Sequence, residues 1–96
     1  MTKADRIRYG RLTEMGCVLC HHLGTPGTPP EIHHLRSGQG LSQRAKPDRT
    51  IPMYPEHHRG KSGFHGMGKR AFEAAYGMTE MDLLDMTNAI IDARAA

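Results

Sequence analysis

Residues 31–60, "EIHHLRSGQGLSQRAKPDRTIPMYPEHHRG", contain two adjacent histidine pairs, His33-His34 and His57-His58, on either side of a polar loop. The segment "EIHHL" predicts a short strand, and "TIPMY" predicts a second strand. "PEHHRG" predicts the start of a helix, because proline is tolerated at the first helical position. Two strands and a helix in this order predict an α+β fold for the centre of the chain.

The two histidine pairs are predicted to serve different sites. Neighbouring side chains on a strand point to opposite faces, so His33 and His34 cannot have the same role. At the start of a helix, His57 and His58 are separated by roughly a hundred degrees around the axis. Each pair can therefore serve two centres, one structural metal and one catalytic metal with its base. The alternative reading is that the paired histidines are exposed and only pH-sensitive.

Cys17 and Cys20 form a CxxC motif upstream of the histidine pairs. Two thiolates at this spacing can both reach a tetrahedral Zn²⁺, so the motif predicts a zinc knuckle. A redox pair is the alternative, but redox motifs lie between a strand and a helix, whereas here a loop rich in proline and glycine follows. His57 is the best-placed third ligand for this structural zinc. The fourth ligand stays open among three candidates: His21, His22 and His33.

The size and composition of the chain also favour a structural metal. The sequence has 96 residues, of which 38% are apolar, and it contains no tryptophan. A small domain with so few apolar residues usually needs a metal to supplement its hydrophobic core. The sequence contains no run of about 18 apolar residues, the length that a membrane-spanning helix needs. The N-terminal "MTKADRIRYGR" carries charges where a signal peptide has an apolar stretch, which predicts a cytoplasmic protein.

We expect residues 1–96 to form a single domain. Residues 1–16 are predicted to be an N-terminal helix that ends at Gly16. Residues 17–66 are predicted to contain the zinc knuckle and the strand–strand–helix core. Residues 67–96 are predicted to form the C-terminal helices.

Two helix signals lie in the C-terminal part. "KRAFEAAYG" predicts a helix that ends at Gly77. Thr79 and Asp82 have the spacing of a capping box at the start of the last helix. That helix carries an apolar stripe that we interpret as core: Leu83, Met86 and Ile90, with Leu84 and Ile91 beside it.

The charge of the chain is unevenly distributed. The net charge is +3, but residues 1–70 carry 12 Lys and Arg against 5 Asp and Glu, whereas residues 71–96 carry 1 against 5. All seven histidines lie in the basic part. This segregation fits a polyanion-facing surface backed by an acidic helix. A modest excess of Lys and Arg is also common on ordinary protein surfaces.

The central motifs together resemble a known family. "EIHHLRSGQGLSQRAKPDRTIP", "PEHHRG" and "GFHGMGKRAFEAAYG", preceded by the CxxC, resemble the HNH endonuclease superfamily. The resemblance is closest to the phage recombination-enhancement nucleases of the Ref-like group, and it covers about residues 14–84. It implies a small ββα-metal (HNH, His-Me finger) fold around one divalent ion, flanked by N- and C-terminal helices. It also implies the hydrolysis of DNA phosphodiester bonds in recombination or DNA processing.

The resemblance implies specific roles for five residues. His33 corresponds to a metal ligand, and His34 to the general base that deprotonates the attacking water. Asp48 lies where the family often has an asparagine that orients the base. His58 and His65 correspond to the ligands on the helix side of the metal. A neutral imidazole can accept a proton at physiological pH, and a divalent ion such as Mg²⁺ or Mn²⁺ neutralises charge at the phosphate.

DNA is the expected partner, with no membrane involved. The resemblance further implies action together with a RecA-type recombinase filament in a bacterial host cell. Basic residues around the site are expected to contact backbone phosphates, which gives affinity without sequence selectivity. These candidate DNA-binding residues are Arg36, Arg44, Arg49, Arg59, Lys61, Lys69 and Arg70.

Two other functional classes compete with the nuclease interpretation. One is a non-catalytic zinc-binding module that binds DNA and uses its histidines only for structure. The other is an adaptor that binds a partner protein through the acidic C-terminal helix.

The sequence departs from the family pattern in two places. Relatives commonly have a cysteine where this chain has Tyr54, so the second half of the zinc knuckle is incomplete. His58 and His65 are seven residues apart, with "GKSG" between them. For His65 to reach the metal, these glycines must loop the chain back.

Overall fold

The computed structural model describes residues 2–35 and 49–95. Within these two ranges the chain forms six helices and two strands. In chain order they are α1 (Lys3–Met15), α2 (Val18–His22), β1 (Glu31–His34), β2 (Thr50–Met53), α3 (Pro55–Arg59), α4 (Phe64–Met67), α5 (Lys69–Tyr76) and α6 (Glu80–Ala95).

Helix α1 begins at a capping box and ends at a glycine. The Thr2 hydroxyl accepts the Asp5 backbone N–H at 3.1 Å, and the Asp5 carboxylate accepts the Thr2 N–H at 2.9 Å. Gly16 ends the helix with φ 75°, in the left-handed region that favours glycine. A Cβ at this position would lie only 2.9 Å from the Thr28 carbonyl oxygen. The predicted N-terminal helix and its end at Gly16 are confirmed.

The CxxC segment opens a short helix. Cys17 is the N-cap of α2, and its sulfur accepts the Cys20 backbone N–H at 3.4 Å. Both thiols are buried, with 0% and 2% exposure. The capping contact turns the two sulfurs toward the same side of the chain, as the knuckle prediction required.

The two strands form one antiparallel sheet, in which His33 pairs with Ile51 and His34 with Thr50. Pro52 is compatible with β2 because each strand of a two-stranded sheet has a free edge. His33 is buried whereas His34 is exposed. The alternation of a strand therefore places the two imidazoles on opposite faces of the sheet, as expected.

The segment after β2 folds back on itself through glycines. Helix α3 starts at the predicted proline, but the single-turn helix α4 was not predicted. A Cβ at Gly63 would collide with the backbone of Glu56 and His57, and a Cβ at Gly66 would collide with the carbonyl group of Gly60. Only glycines allow α4 to pack this closely against α3.

Helix α6 begins at the predicted capping box, in which Thr79 and Asp82 exchange hydrogen bonds of 2.9 and 3.0 Å. The polar residues Glu80 and Thr87 are also buried on this helix, which the apolar stripe did not indicate. Its apolar face packs on the core formed by α1, α2, the strands and α5. The largest fully buried core side chains are Leu12, Met15, Leu19, Leu35, Ile51, Met53, Phe72 and Leu83.

Arg8 connects α1 to β2 and to α6 through side-chain hydrogen bonds. The Arg8 guanidinium on α1 donates to the Thr50 carbonyl oxygen at 2.6 Å and to the Thr50 hydroxyl at 3.0 Å. It also donates to Asn88 Oδ1 on α6 at 2.9 Å. Thr50 starts β2, so this contact holds the sheet, and with it His33, against both long helices.

The α+β class is confirmed as a two-stranded antiparallel sheet surrounded by helices. The narrower ββα-metal assignment remains a prediction. Among the residues that the structure describes, none of the helices has the length and apolarity needed to cross a bilayer.

Candidate metal centres

Cys17, Cys20 and His57 lie together and form the first candidate centre, here called the thiolate cluster. Their potential ligand atoms all lie within 4.8 Å of one another. The two sulfurs come from the start of α2 and the imidazole comes from α3. A bound ion would therefore join His57 to two cysteines that precede it by 37 and 40 positions in the sequence.

The spacing within the thiolate cluster fits zinc. His57 Nδ1 lies 3.5 Å from the Cys20 sulfur and 3.8 Å from the Cys17 sulfur. Zn–S bonds of about 2.3 Å and Zn–N bonds of about 2.0–2.1 Å give a sulfur–nitrogen edge of about 3.5 Å in a tetrahedral site. Two thiolates and an imidazole are also the donor set that zinc prefers.

Burial makes the thiolate cluster costly to ionise without a cation. It raises the pKa of the Cys17 thiol from 9.0 to about 11, and the neighbouring Cys20 adds to the rise. Backbone N–H groups of Tyr54 and Cys20 lower the pKa in part. The pKa of His57 is lowered by burial, with Glu56 opposing the shift, so this imidazole favours its neutral, metal-binding form.

None of the three candidates for a fourth zinc ligand joins the thiolate cluster. His21 Nε2 lies 2.6 Å from the Met15 carbonyl oxygen, and His22 Nε2 lies 3.1 Å from the Tyr76 carbonyl oxygen. His33 belongs to the second cluster. In the described ranges the cluster thus has three Cys and His donors, beside an exposed Tyr54 whose ring contacts that of His57.

His33, His58 and His65 form the second candidate centre, here called the imidazole cluster. His33 comes from β1, His58 from α3 and His65 from α4. The looping of the chain through its glycines brings His65 Nε2 to 3.2 Å from His58 Nε2. His65 is exposed, whereas His33 is buried, so the cluster opens to solvent at one side.

The arrangement of the three rings fits one shared ion. Their centres are 5.0, 5.5 and 4.7 Å apart. Three imidazoles that bind an ion tetrahedrally at about 2.0–2.1 Å place their ring centres about 5 Å apart. Phe64 closes one side of the cluster with its ring centre 5.3 Å from that of His33. Three imidazole donors suit Mn²⁺, Zn²⁺ or Ni²⁺ better than Mg²⁺, which prefers oxygen ligands.

Two carboxylates that the sequence analysis did not single out contact the imidazole cluster. Glu80 Oε2 lies 2.8 Å from His33 Nε2, and Glu31 Oε1 lies 3.3 Å from His58 Nδ1. Glu31 could have been found, because it lies two residues before His33 and shares its face of β1. Glu80 is 47 residues from His33, and no local pattern connects them.

The electrostatics of His58 also favour metal binding. Burial is the main cause that lowers its pKa, with Glu31 opposing and the other two imidazoles adding to the shift. The pKa of Glu31 is lowered by hydrogen bonds from Arg59 and from His58. A neutral imidazole beside an ionised carboxylate is the state in which a histidine binds a cation.

Neither of the two predicted catalytic residues, His34 and Asp48, belongs to the imidazole cluster that the structure describes. His34 is exposed on the face of β1 opposite His33, next to the imidazole cluster along the strand but outside it. Asp48 lies outside the described residues. The roles of base and orienting carboxylate therefore remain predictions.

The candidate DNA-binding residues fall into three groups. Arg36 and Arg44 lie outside the described residues. Arg49 is half-buried, with Nη2 3.8 Å from the Met81 sulfur. The other four are exposed and lie between α3 and the start of α5: Arg59, Lys61, Lys69 and Arg70.

Arg59 is held in place by Glu31, whose carboxylate it contacts at 3.0 Å while its side chain stays 68% exposed. Arg59 therefore lies beside His58, whose Nδ1 contacts the same Glu31 carboxylate.

Comparisons of this chain with known proteins give no relative. It matches no family model, no curated protein and no solved structure. Function must therefore be inferred from the two clusters and their surroundings.

Proposed function

We propose that this protein is a metal-dependent endonuclease of the HNH type that hydrolyses DNA phosphodiester bonds. The observation that carries the proposal is the convergence of His33, His58 and His65. One strand and two helices each contribute one imidazole to a single solvent-open cluster, next to a second cluster with zinc-type donors.

The proposed roles are those that the family resemblance implies, and the chemistry of the residues is compatible with them. A divalent ion held by the imidazole cluster supplies charge neutralisation at the scissile phosphate and at the leaving oxygen. His34, exposed beside the cluster, accepts the proton of the attacking water. Asp48, which lies outside the described residues, orients the His34 ring in the role that the family resemblance implies. The thiolate cluster holds a structural Zn²⁺ that fastens α2 to α3 and so positions His58.

Exposed basic residues support a polyanionic substrate. Arg59 shares the Glu31 carboxylate with His58 of the imidazole cluster, and Lys61, Lys69 and Arg70 are exposed in the segment that also carries His65. These four side chains could hold backbone phosphates. Such contacts would bind DNA without reading its sequence. A role in phage recombination and cooperation with a RecA-type recombinase filament remain proposals that rest on the family resemblance alone. A cytoplasmic location likewise remains a proposal.

The direct test is nicking of supercoiled plasmid with Mn²⁺ or Mg²⁺ by the wild type and by His34→Ala. A positioned general base contributes about 10²- to 10⁴-fold, so we expect nicking by the variant to slow by at least about a hundredfold. Metal content and DNA affinity should stay unchanged, because His34 lies outside both clusters.

His22→Ala is the matched control, since His22 is also exposed and outside both clusters. Nicking by this control at the wild-type rate would assign the loss to His34. Equal nicking by His34→Ala and the wild type would refute the assigned base.

A second candidate function is a zinc-stabilised DNA-binding module without catalysis. The exposure of His34 on the strand face opposite His33 favours it, because a general base must reach the water that attacks beside the metal. Persistent DNA binding by a wild-type protein that does not nick with either metal would support this module and exclude the nuclease.

A further inference from the structure

Glu80 is a buried carboxylate that neither cluster uses as a ligand. Its residue exposure is 6%, and it lies at the first position of α6. A buried carboxylate is costly unless it is hydrogen-bonded, so a specific partner is expected. One such partner is the ring nitrogen Nε2 of His33, at 2.8 Å.

The contact determines which nitrogen of His33 can face an ion. An imidazole has two ring nitrogens, and the neutral ring carries a proton on only one of them. Because Nε2 faces the Glu80 carboxylate, it carries the proton, and Nδ1 is the nitrogen left for the cluster.

In His58 the other ring nitrogen, Nδ1, faces a carboxylate, so Nε2 is the nitrogen left for the cluster. Its Nδ1 lies 3.3 Å from Glu31 Oε1, whereas its Nε2 lies 3.2 Å from Nε2 of His65. The proton is therefore placed on Nδ1, and Nε2 faces the cluster. Two carboxylates from different elements thus select opposite nitrogens on two neighbouring rings.

We propose that Glu80 and Glu31 are positioning residues that set the tautomers and ring orientations of His33 and His58 for metal binding. The inference rests on the imidazole cluster binding an ion, as the proposed function requires. Carboxylates that orient ligating histidines typically contribute 10- to 100-fold to metal affinity. Glu80 is the stronger case, because it is buried, whereas Glu31 also contacts the exposed Arg59.

The proposal links the C-terminal helix to the metal centre. Glu80 is the first residue of α6, next to the capping box of Thr79 and Asp82. The Arg8 contact with Asn88 holds the same helix against β2. The position of α6 therefore determines the orientation of His33.

The test measures tautomers by long-range ¹H–¹⁵N NMR of the imidazoles in the Zn²⁺-loaded protein. We expect His33 to carry its proton on Nε2 and His58 to carry it on Nδ1. A His33 ring bound to zinc through Nε2 would overturn the proposal, because Glu80 would then be a competing ligand.

The affinity test compares Glu80→Ala and Glu80→Gln with the wild type by Mn²⁺ titration. We expect about a 10- to 100-fold loss for Glu80→Ala. Partial rescue is expected for Glu80→Gln, whose amide oxygen can still accept a hydrogen bond from the Nε2–H of His33. Asp85→Ala is the matched control, an exposed acid on the same helix, and its affinity should not change.

Failure of this proposal can be told apart from failure of the proposed function. The expected tautomers in a wild-type protein that binds the ion but does not nick DNA would refute only the nuclease. Unchanged affinity in Glu80→Ala, or a wild-type protein that binds no ion at the imidazole cluster, would refute the positioning role.

Discussion

The thiolate cluster and the imidazole cluster use the adjacent residues His57 and His58 of α3, but they differ in donors and in exposure. Both sulfurs of the thiolate cluster are buried, and its third donor belongs to a different helix. The imidazole cluster has only nitrogen donors, and His65 opens it to solvent. Closed sites with sulfur donors are typical of structural zinc, whereas open sites with exchangeable positions are typical of catalysis. Under the proposed function, we therefore expect the thiolate cluster to supply stability and the imidazole cluster to supply the chemistry.

The largest effect is expected from Cys20→Ser, which removes a sulfur from the thiolate cluster. Structural zinc contributes about 10–16 kcal/mol of apparent binding free energy in small domains, comparable to the about 5–15 kcal/mol of total stability of a domain. We therefore expect the variant to lose its tightly bound zinc and to unfold. Circular dichroism and metal analysis measure both effects.

His65→Ala removes one donor from the imidazole cluster, as Cys20→Ser does from the thiolate cluster. It should lose the second ion while it keeps the zinc and the fold, because His65 is exposed and outside the core. A Cys20→Ser variant with wild-type melting temperature would break the assignment of stability to the thiolate cluster.

An intermediate effect is expected from Gly63→Ala, in the turn between α3 and α4. The added methyl group would collide with the backbone of Glu56 and His57. Overpacking of this kind costs about 1–3 kcal/mol, and it should displace His65 from His58. The free energy of unfolding and the Mn²⁺ affinity should therefore both fall.

Gly10→Ala is the matched control for this substitution, because a Cβ there meets nothing within 4 Å. Gly10 lies inside α1, where alanine is favoured over glycine by about 0.5–1 kcal/mol. The control should therefore be slightly stabilised. A Gly63→Ala protein that binds Mn²⁺ as tightly as the wild type would show that the turn does not position His65.

The smallest effect is a difference in the pH dependence of metal affinity. The pKa of Cys17 is raised to about 11, so zinc binding must release this proton at neutral pH. The His65→Ala variant is used here because it should bind zinc at the thiolate cluster alone. Its zinc affinity should rise about tenfold per pH unit or more between pH 7 and 8.5. The pKa of His58 is lowered from 6.5, so this ligand is already neutral over that range.

The Mn²⁺ affinity of the zinc-loaded wild type should accordingly change little over the same pH range. Competition with a chelator measures the zinc affinity of His65→Ala, and calorimetry measures the Mn²⁺ affinity of the wild type. Equal slopes for the two clusters would contradict the distinction between thiol and imidazole donors.

Much of the fold followed from local signals. The ends of α1 and α5 lie at Gly16 and Gly77, and the start of α6 lies at the Thr79 capping box, because these residues act within one helical turn. The short helix α4 was missed, since a single turn is too short for a periodic pattern.

The candidate metal sites, like the fold, could be predicted in part from the sequence. The divergence of neighbouring histidines follows from strand and helix geometry, so the sequence could place His57 and His58 at different centres. The fourth zinc ligand could not be resolved, because each of the three candidate histidines is near the motif in sequence. Only the hydrogen bonds of His21 and His22 to backbone carbonyl groups show that they lie elsewhere.

The sequence alone determined the type of each donor, the spacing of the CxxC motif and the opposite directions of adjacent imidazoles. These properties depend on side-chain chemistry and on backbone geometry over a few residues. The tertiary structure decided which donors meet and which nitrogen each ring presents. The contact between Glu80 and His33 spans 47 positions, and only the packing of α6 against the sheet could bring those two residues together.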